Sequence, residues 1–389
     1  MPAPAGSKGL LKPAKISIEE SEEIKISRAL WTGILSPEGA ETRLRGYPLE
    51  TLSVETNSRC PLRCKYCYLN ERPDTEPVSL GKLSPFLLDA IEVGTRRIAF
   101  VGKEPFYDDR AMRLMSILDA HPLRHAFEMG VVTNGLMVNR FLDGLADLRL
   151  DYLDVSIDAQ AGVNNQFRGK GAYEGAANAI HSLSNLPDIV LIVASVLHKF
   201  NLNQLDPFLA EMQALGALNF HFGPVFELTS EGLLSGLELQ TADLFDPVMD
   251  RLIPASRGLA QGQIVVEVPV KHSWQAIASG VFGLEDLQLD ASGFLYWQPE
   301  PDAPFFYKVY LLPQDCWRWA RITADGHYLG ALRQAAQRDY FTYAAGHIES
   351  ENFATLWARS FANPCWFTRE WRRAMQGVEL PEFATVRNV

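Results

Sequence analysis

The residues of this chain most suited to chemistry are three cysteines, Cys60, Cys64 and Cys67, in the stretch "SRCPLRCKYCYLNE" (Ser58–Glu71). Their C-x3-C-x2-C spacing does not suit a structural zinc, which is usually closed by four Cys or His ligands. The next cysteine is Cys316, and no histidine falls within the 50 residues after Cys67. A redox pair would use Cys64 and Cys67 at a helix N-terminus and leave Cys60 idle. Three thiolates can instead hold three irons of a [4Fe–4S] cube and leave the fourth iron an open position. An open position marks a catalytic metal rather than a structural one.

A repeated pattern of elements must position that loop. From residue 51, apolar β-branched runs alternate with stretches of helical periodicity. The expected strands are residues 51–57, 96–102, 127–134, 150–158, 188–197 and 218–225, and amphipathic runs such as "LSPFLLDAIEVG" and "AYEGAANAIHSLS" separate them. Six β-α units imply a parallel sheet with right-handed crossovers, short of the eight of a full barrel. The expected fold is therefore α/β: a partial (β/α)6 TIM-like barrel with a smaller C-terminal α+β domain. Its chemistry belongs at the C-terminal ends of the strands, and the cysteine loop directly follows the first strand.

At this point the chain resembles a family. C-x3-C-x2-C after strand one, with the aromatic Tyr66 before the last cysteine, is similar to the signature of radical S-adenosylmethionine (SAM) enzymes. The resemblance implies two cofactors, a [4Fe–4S] cluster on Cys60, Cys64 and Cys67, and SAM, whose amino and carboxylate groups occupy the fourth iron. "VGKEP" resembles the family's GGEP motif and assigns Gly102, Lys103, Glu104 and Pro105 to the SAM amino group, with Lys103 where the family has Gly. "TNG" after strand three places Thr133 and Asn134 near the ribose. "VSIDA" followed by "FRGKGAYEG" resembles the SPASM-type branch, in which Ser156 and Arg168 contact SAM and Arg168 reaches its carboxylate. An arginine fork suits a carboxylate because it donates two parallel hydrogen bonds. Asp158 holds a substrate or ribose hydroxyl, or caps the next helix. Val193 and Val196 on strand five are expected near the adenine. "GKGAYEG" has G-x-G-x3-G spacing and follows no strand, so it is not a dinucleotide loop.

The tail resembles a SPASM domain without its metal ligands. Cys316 is followed by nine residues and Gly326, as that motif requires, but Ala331 stands where a cysteine is due. "AAGHIESENFATLW" and "NPC" (Cys365) echo later parts of the motif. Two cysteines cannot hold a cube. Cys316 and Cys365 are instead candidate catalytic thiols, because a thiol is a good hydrogen-atom donor to a substrate radical.

The expected organisation is an N-terminal extension (1–50), a radical SAM core (51–225), a connecting helical and loop region (226–315) and a degenerate SPASM-like domain (316–389). The resemblance implies an enzyme that abstracts a hydrogen atom from a peptide or small-molecule natural-product substrate. It also implies an external one-electron donor such as flavodoxin or ferredoxin. An iron–sulfur electron-transfer or SAM-sensing protein without turnover is the alternative. The net charge of −11 argues against a broad nucleic-acid-binding face. The longest apolar stretch, Ile189–Leu197, is too short to span a bilayer. Five cysteines, three of them crowded together, do not form a secreted disulfide framework, so a cytoplasmic location is expected.

Overall fold

The computed structural model describes residues 21–45, 47–186, 188–225, 236–259, 261–314, 317–330, 332–335, 338–362 and 366–378. The six expected strands all form: β1 (Thr51–Glu55), β2 (Arg97–Val101), β3 (Glu128–Thr133), β4 (Tyr152–Ser156), β5 (Val190–Leu197) and β6 (Asn219–Pro224). Seven further strands follow: β7 (Gln263–Val268), β8 (Leu287–Leu289), β9 (Leu295–Trp297), β10 (Phe305–Val309), β11 (Trp319–Ile322), β12 (His327–Leu329) and β13 (Gly346–His347). The helices are α1 (Glu22–Trp31), α2 (Pro37–Leu44), α3 (Leu80–Val93), α4 (Arg110–Asp119), α5 (Leu142–Ala146), α6 (Ala161–Arg168), α7 (Ala172–Leu183), α8 (Leu205–Ala214), α9 (Thr241–Ser256), α10 (Val270–Ala278), α11 (Leu332–Ala335), α12 (Phe353–Ala362) and α13 (Trp366–Ala374).

The thirteen strands among the described residues share one sheet, in the order β13-β12-β11-β1-β2-β3-β4-β5-β6-β7-β10-β9-β8. Its centre is a parallel run from β11 through β1 to β7 and β10, and antiparallel ribbons extend both ends. The fold is a partial TIM-like barrel. The region expected to be connecting supplies β7 to β10, and the C-terminal segment adds β11 to β13 to the barrel's own sheet. Tyr310, just after β10, meets Trp319 of β11 edge to face at 5.8 Å, so the two ends of the parallel run curl toward each other.

Alternation along each strand gives the sheet two faces. Leu153, Val155, Val193, Phe220, Phe222, Val266 and Tyr307 lie on the outer face, fully buried in the main core. There each large apolar side chain contributes roughly 1.5–3 kcal/mol. The Tyr307 hydroxyl donates to the Leu244 carbonyl of α9, which identifies that face as the helix-covered one. The intervening residues, among them Asp154, Ser156, Ala194, Val196, His221, Glu267 and Lys308, face the hollow of the curl. Phe294, in the β8–β9 turn, closes part of that hollow. The Arg318 guanidinium lies 4.0 Å from its ring centroid and the Lys308 ammonium 4.1 Å.

Candidate active site

The cysteine loop leaves the C-terminal end of β1 and is stitched to the loops after β2 and β4. Asn57 donates its side-chain amide to the Glu104 carbonyl (2.8 Å). The Lys65 N–H donates to the Phe167 carbonyl (2.8 Å), and Cys64 Sγ lies 3.6 Å from the Arg168 carbonyl. Within the loop, Cys67 N–H and the Asn70 side chain both donate to the Cys64 carbonyl (3.0 and 2.7 Å). Cys60, Cys64 and Cys67 are free thiols, each partly buried. Burial raises all three pKa values, to about 11 for Cys60 and about 12 for Cys64. Among the described residues, no three His, Cys, Asp or Glu side chains are gathered to hold a single ion.

The donor set fits a cluster. Cys60 Sγ accepts hydrogen bonds from Leu62 N–H (3.4 Å) and the Asn134 side-chain amide (3.5 Å). Arg168, Lys103 and Arg321 all lie close enough to stabilise negative charge on Cys67. Hydrogen bonds to sulfur and nearby cations are the usual environment of a thiolate-held, net-anionic cluster.

At the tip of β2 the backbone turns at Gly102, whose φ is +115°. A Cβ there would lie 2.9 Å from Glu55 Cγ, so both conformation and space demand glycine. Lys103 is compatible with the turn because its ammonium runs back to Asp74 (2.9 Å) and the Arg72 carbonyl (3.2 Å), pinning the segment after the cysteine loop. Glu104 is buried, and burial raises its pKa. Its carboxylate accepts hydrogen bonds from the Thr133 hydroxyl (2.6 Å), Asn134 N–H (2.8 Å) and Phe106 N–H (3.0 Å). Pro105 starts the short 3-10 turn that carries Phe106. Gly135 (φ +82°) allows α7 to approach the tip of β3, since a Cβ would come within 2.8 Å of Ala176 Cα.

The tip of β4 differs from expectation. Asp158 does not cap α6, whose N-cap is Gln160. It instead forms a buried bidentate pair with Arg168, Nε to Oδ2 and Nη2 to Oδ1, both at 2.7 Å. Asp158 also accepts from the Tyr66 hydroxyl and from Val196 N–H (2.9 Å). The edge of the guanidinium expected to clamp a SAM carboxylate is therefore occupied by Asp158. Ser156 faces the hollow two residues earlier. Val196 lies beside Asp158, but Val193 faces the helix layer with Val155. Residues three apart on a strand point to opposite faces, so Val193 cannot share the site with Val196. The candidate thiols Cys316 and Cys365 lie outside the described residues.

Two features escaped the sequence reading. His198, just past β5, is buried against Phe167 with ring centroids 4.5 Å apart. Its Nδ1 accepts from Phe200 N–H, its Nε2 is buried without a partner, and burial lowers its pKa. The hint was a histidine at a strand tip. The second is a triad at the mouth of β1: Glu55 takes both nitrogens of Arg72 (2.8 Å each) and one of Arg321 (3.2 Å), all buried. No local pattern pairs residues so far apart in the chain.

Residues 54–212 match the family model described as the Radical SAM superfamily. Two curated relatives, both GTP 3',8-cyclases, match over a short span. The one from Mesorhizobium japonicum is 32% identical over 117 residues, 29% of this chain and 35% of the relative. The one from Chlorobaculum tepidum is 29% identical over 114 residues, 29% of this chain and 34% of the relative. The chain thus spans about a third of the length of these relatives. Among solved structures, Streptococcus suis SuiB bound to its precursor peptide SuiA superposes with a TM-score of 0.60 at 14% identity, covering 84% of this chain and 68% of SuiB. The enzyme anSMEcpe, with bound AdoMet and a peptide, gives 0.52 at 13% identity, covering 79% and 80%. At these identities the likeness concerns the fold.

Proposed function

The chain carries a radical SAM domain, and from that premise we propose that it is an enzyme abstracting a hydrogen atom from a peptide or small-molecule substrate. The single observation that carries this reading is the convergence of the cysteine loop with the tips of β2, β3 and β4, where Glu104, Asn134 and the Asp158–Arg168 pair surround three free thiols. A [4Fe–4S] cluster on Cys60, Cys64 and Cys67 with SAM bound would supply one-electron cleavage to a 5'-deoxyadenosyl radical.

The protein's own residues bind and orient. The Gly102–Pro105 backbone and Glu104 offer acceptors to the SAM amino group. Glu104 is held in place by Thr133, Asn134 and Phe106, so little freedom is lost when a ligand binds. Arg168 still has Nη1 for the SAM carboxylate, and Asp158 fixes its orientation. Val196 and Ser156 line the hollow beside this rim, where adenine and ribose would lie. His198 keeps a buried, unpartnered Nε2 close to the Asp158–Arg168 pair. An external one-electron donor such as flavodoxin or ferredoxin would reduce the cluster. No helix among the described residues is long and apolar enough to cross a membrane.

The test is anaerobic reconstitution followed by reduction in the presence of SAM. Formation of 5'-deoxyadenosine, lost when Cys60, Cys64 or Cys67 becomes alanine, is the expected result. A reconstituted protein that binds SAM without cleaving it would turn the reading to SAM sensing or electron transfer.

A further inference from the structure

The hollow of the barrel contains a polar wall that the proposed cofactors do not use. Asp154 on β4 faces inward, two residues before Ser156. Asp154 is half-buried, no hydrogen bond reaches its carboxyl, and Oδ1 is enclosed without a partner. Its polar neighbours face inward from strands that are otherwise apolar: His221 on β6, Glu267 on β7 and Lys308 on β10. These three gather around the Glu267 carboxylate, although His221 Nε2 makes no hydrogen bond there. Glu267 Oε1 lies 3.3 Å from His221 Nε2 and 3.8 Å from Lys308 Nζ, and accepts from the Tyr310 hydroxyl at 2.5 Å. The wall stays partly open to the hollow, with 30% of the His221 side chain exposed although its strand is covered outside. Gly223 leaves space next to Glu267, and Ala194 is small on the adjacent strand.

The charge balance decides what can enter. Arg97 is committed to Glu128 (2.6 Å), Arg318 to Glu23 (3.5 Å) and Lys308 to Glu267. Asp154 has no such counter-charge in contact. With His221 neutral these residues leave one carboxylate, Asp154, and no cation over, whereas a protonated His221 balances it. A polyphosphate would meet two carboxylates there and no free arginine or lysine, whereas a protonated nitrogen would complete Asp154.

Building on the radical SAM reading, we propose that this wall is the substrate-anchoring site, and that it takes a protonated amine, held by Asp154 Oδ2 inside the hollow. Such an amine is found on a peptide side chain or on an amino sugar. The substrate then differs in class from the nucleoside triphosphate named in the curated relatives.

The test uses anaerobically reconstituted protein with SAM and ligand-observed NMR with benzylamine and GTP as probes. Benzylamine is expected to bind the wild type and to bind Asp154→Asn at least about tenfold more weakly, the usual effect of losing a charge-assisted hydrogen bond. Competition of benzylamine by N-acetyl-lysinamide or by glucosamine then separates a peptide source from a sugar source. Equal benzylamine binding in the two proteins, no binding to the wild type, or GTP binding that displaces benzylamine would each overturn the proposal. Because Asp154 has no internal partner, Asp154→Asn is expected to unfold at the same temperature or higher. A large fall would assign Asp154 a structural role and also overturn it. The radical SAM reading is judged separately, by iron content and 5'-deoxyadenosine formation in the wild type.

Discussion

Arg168 and Asp158 show how one buried pair constrains a whole rim. Each is within hydrogen-bond distance of the other at two points, and Asp158 also bonds Val196 and Tyr66. Removing one member leaves the other charged and buried, at a cost of about 3–5 kcal/mol, whereas replacing both is close to neutral. Arg168→Ala is therefore expected to lower the unfolding free energy by about 3 kcal/mol in anaerobic denaturant titrations. The double variant Asp158→Asn/Arg168→Met should recover most of that stability while still binding SAM about tenfold or more weakly. Full recovery of SAM affinity in the double variant would remove Arg168 from the SAM contacts. The arginine itself was legible from its order after "VSID". Its partner was not, because Asp158 could as well have capped α6.

Asp154 adds a pH signature at the same scale. Burial raises its pKa from 3.8 to about 6, since His221, Arg97 and Lys308 only partly offset the desolvation. A carboxyl whose folded pKa lies above its unfolded value stabilises the fold at low pH, and that contribution is lost as pH rises through about 6. A shift of about two units corresponds to at most about 3 kcal/mol. Between pH 4 and pH 7 the wild type should lose stability relative to Asp154→Asn by up to that amount, measured by parallel urea unfolding. A constant difference across the range would mean that Asp154 titrates normally.

At the level of elements, the legible part of the chain is the part in which strand and helix alternate without interruption. The six strands from Thr51 to Pro224 were visible because each short apolar run is followed by an amphipathic helix that covers it. β7 reads equally well as "QIVVEV", but the helix before it contains Pro247 and Pro254, which blurred the rhythm there. The inward polar residues of β6, β7 and β10 carried a readable signal, a polar side chain at alternate positions of an apolar strand. Their meaning depended on the sheet curling, which no local pattern specifies. The Glu55, Arg72 and Arg321 triad joins β1, the segment after the cysteine loop and β11. Glu55→Gln would leave two buried guanidinium groups without a counter-charge, at about 3–5 kcal/mol. The expected results are a lower unfolding temperature and faster loss of iron to a chelator from the reconstituted protein, because Arg72 no longer anchors the segment after Cys67. Unchanged iron retention would confine the triad to global stability.

At the level of the molecule, the chain has five cysteines, and three of them sit in the loop after β1. The two that remain cannot bind a second cube. Reconstituted protein should hold about four irons and four sulfides per chain. About eight irons would require ligands beyond the cysteines and would overturn the lost-cluster reading of the tail.

The parallel pairing of β11 with β1 also has a consequence for how the protein is made. Glu55 and Arg321 are separated by 266 residues, and α1 is fastened by Glu23 to Leu311, Leu312 and Gln314. A ribosome adding about 5–20 residues per second needs roughly 13–50 seconds to cover that separation. For that interval β1 has an open edge, and the segment after the cysteine loop lacks its last arginine contact. The nascent barrel cannot close in the order in which it is synthesised. It must wait for β11, so the segment after the thiol loop gains its last arginine contact only once that distant strand has been made.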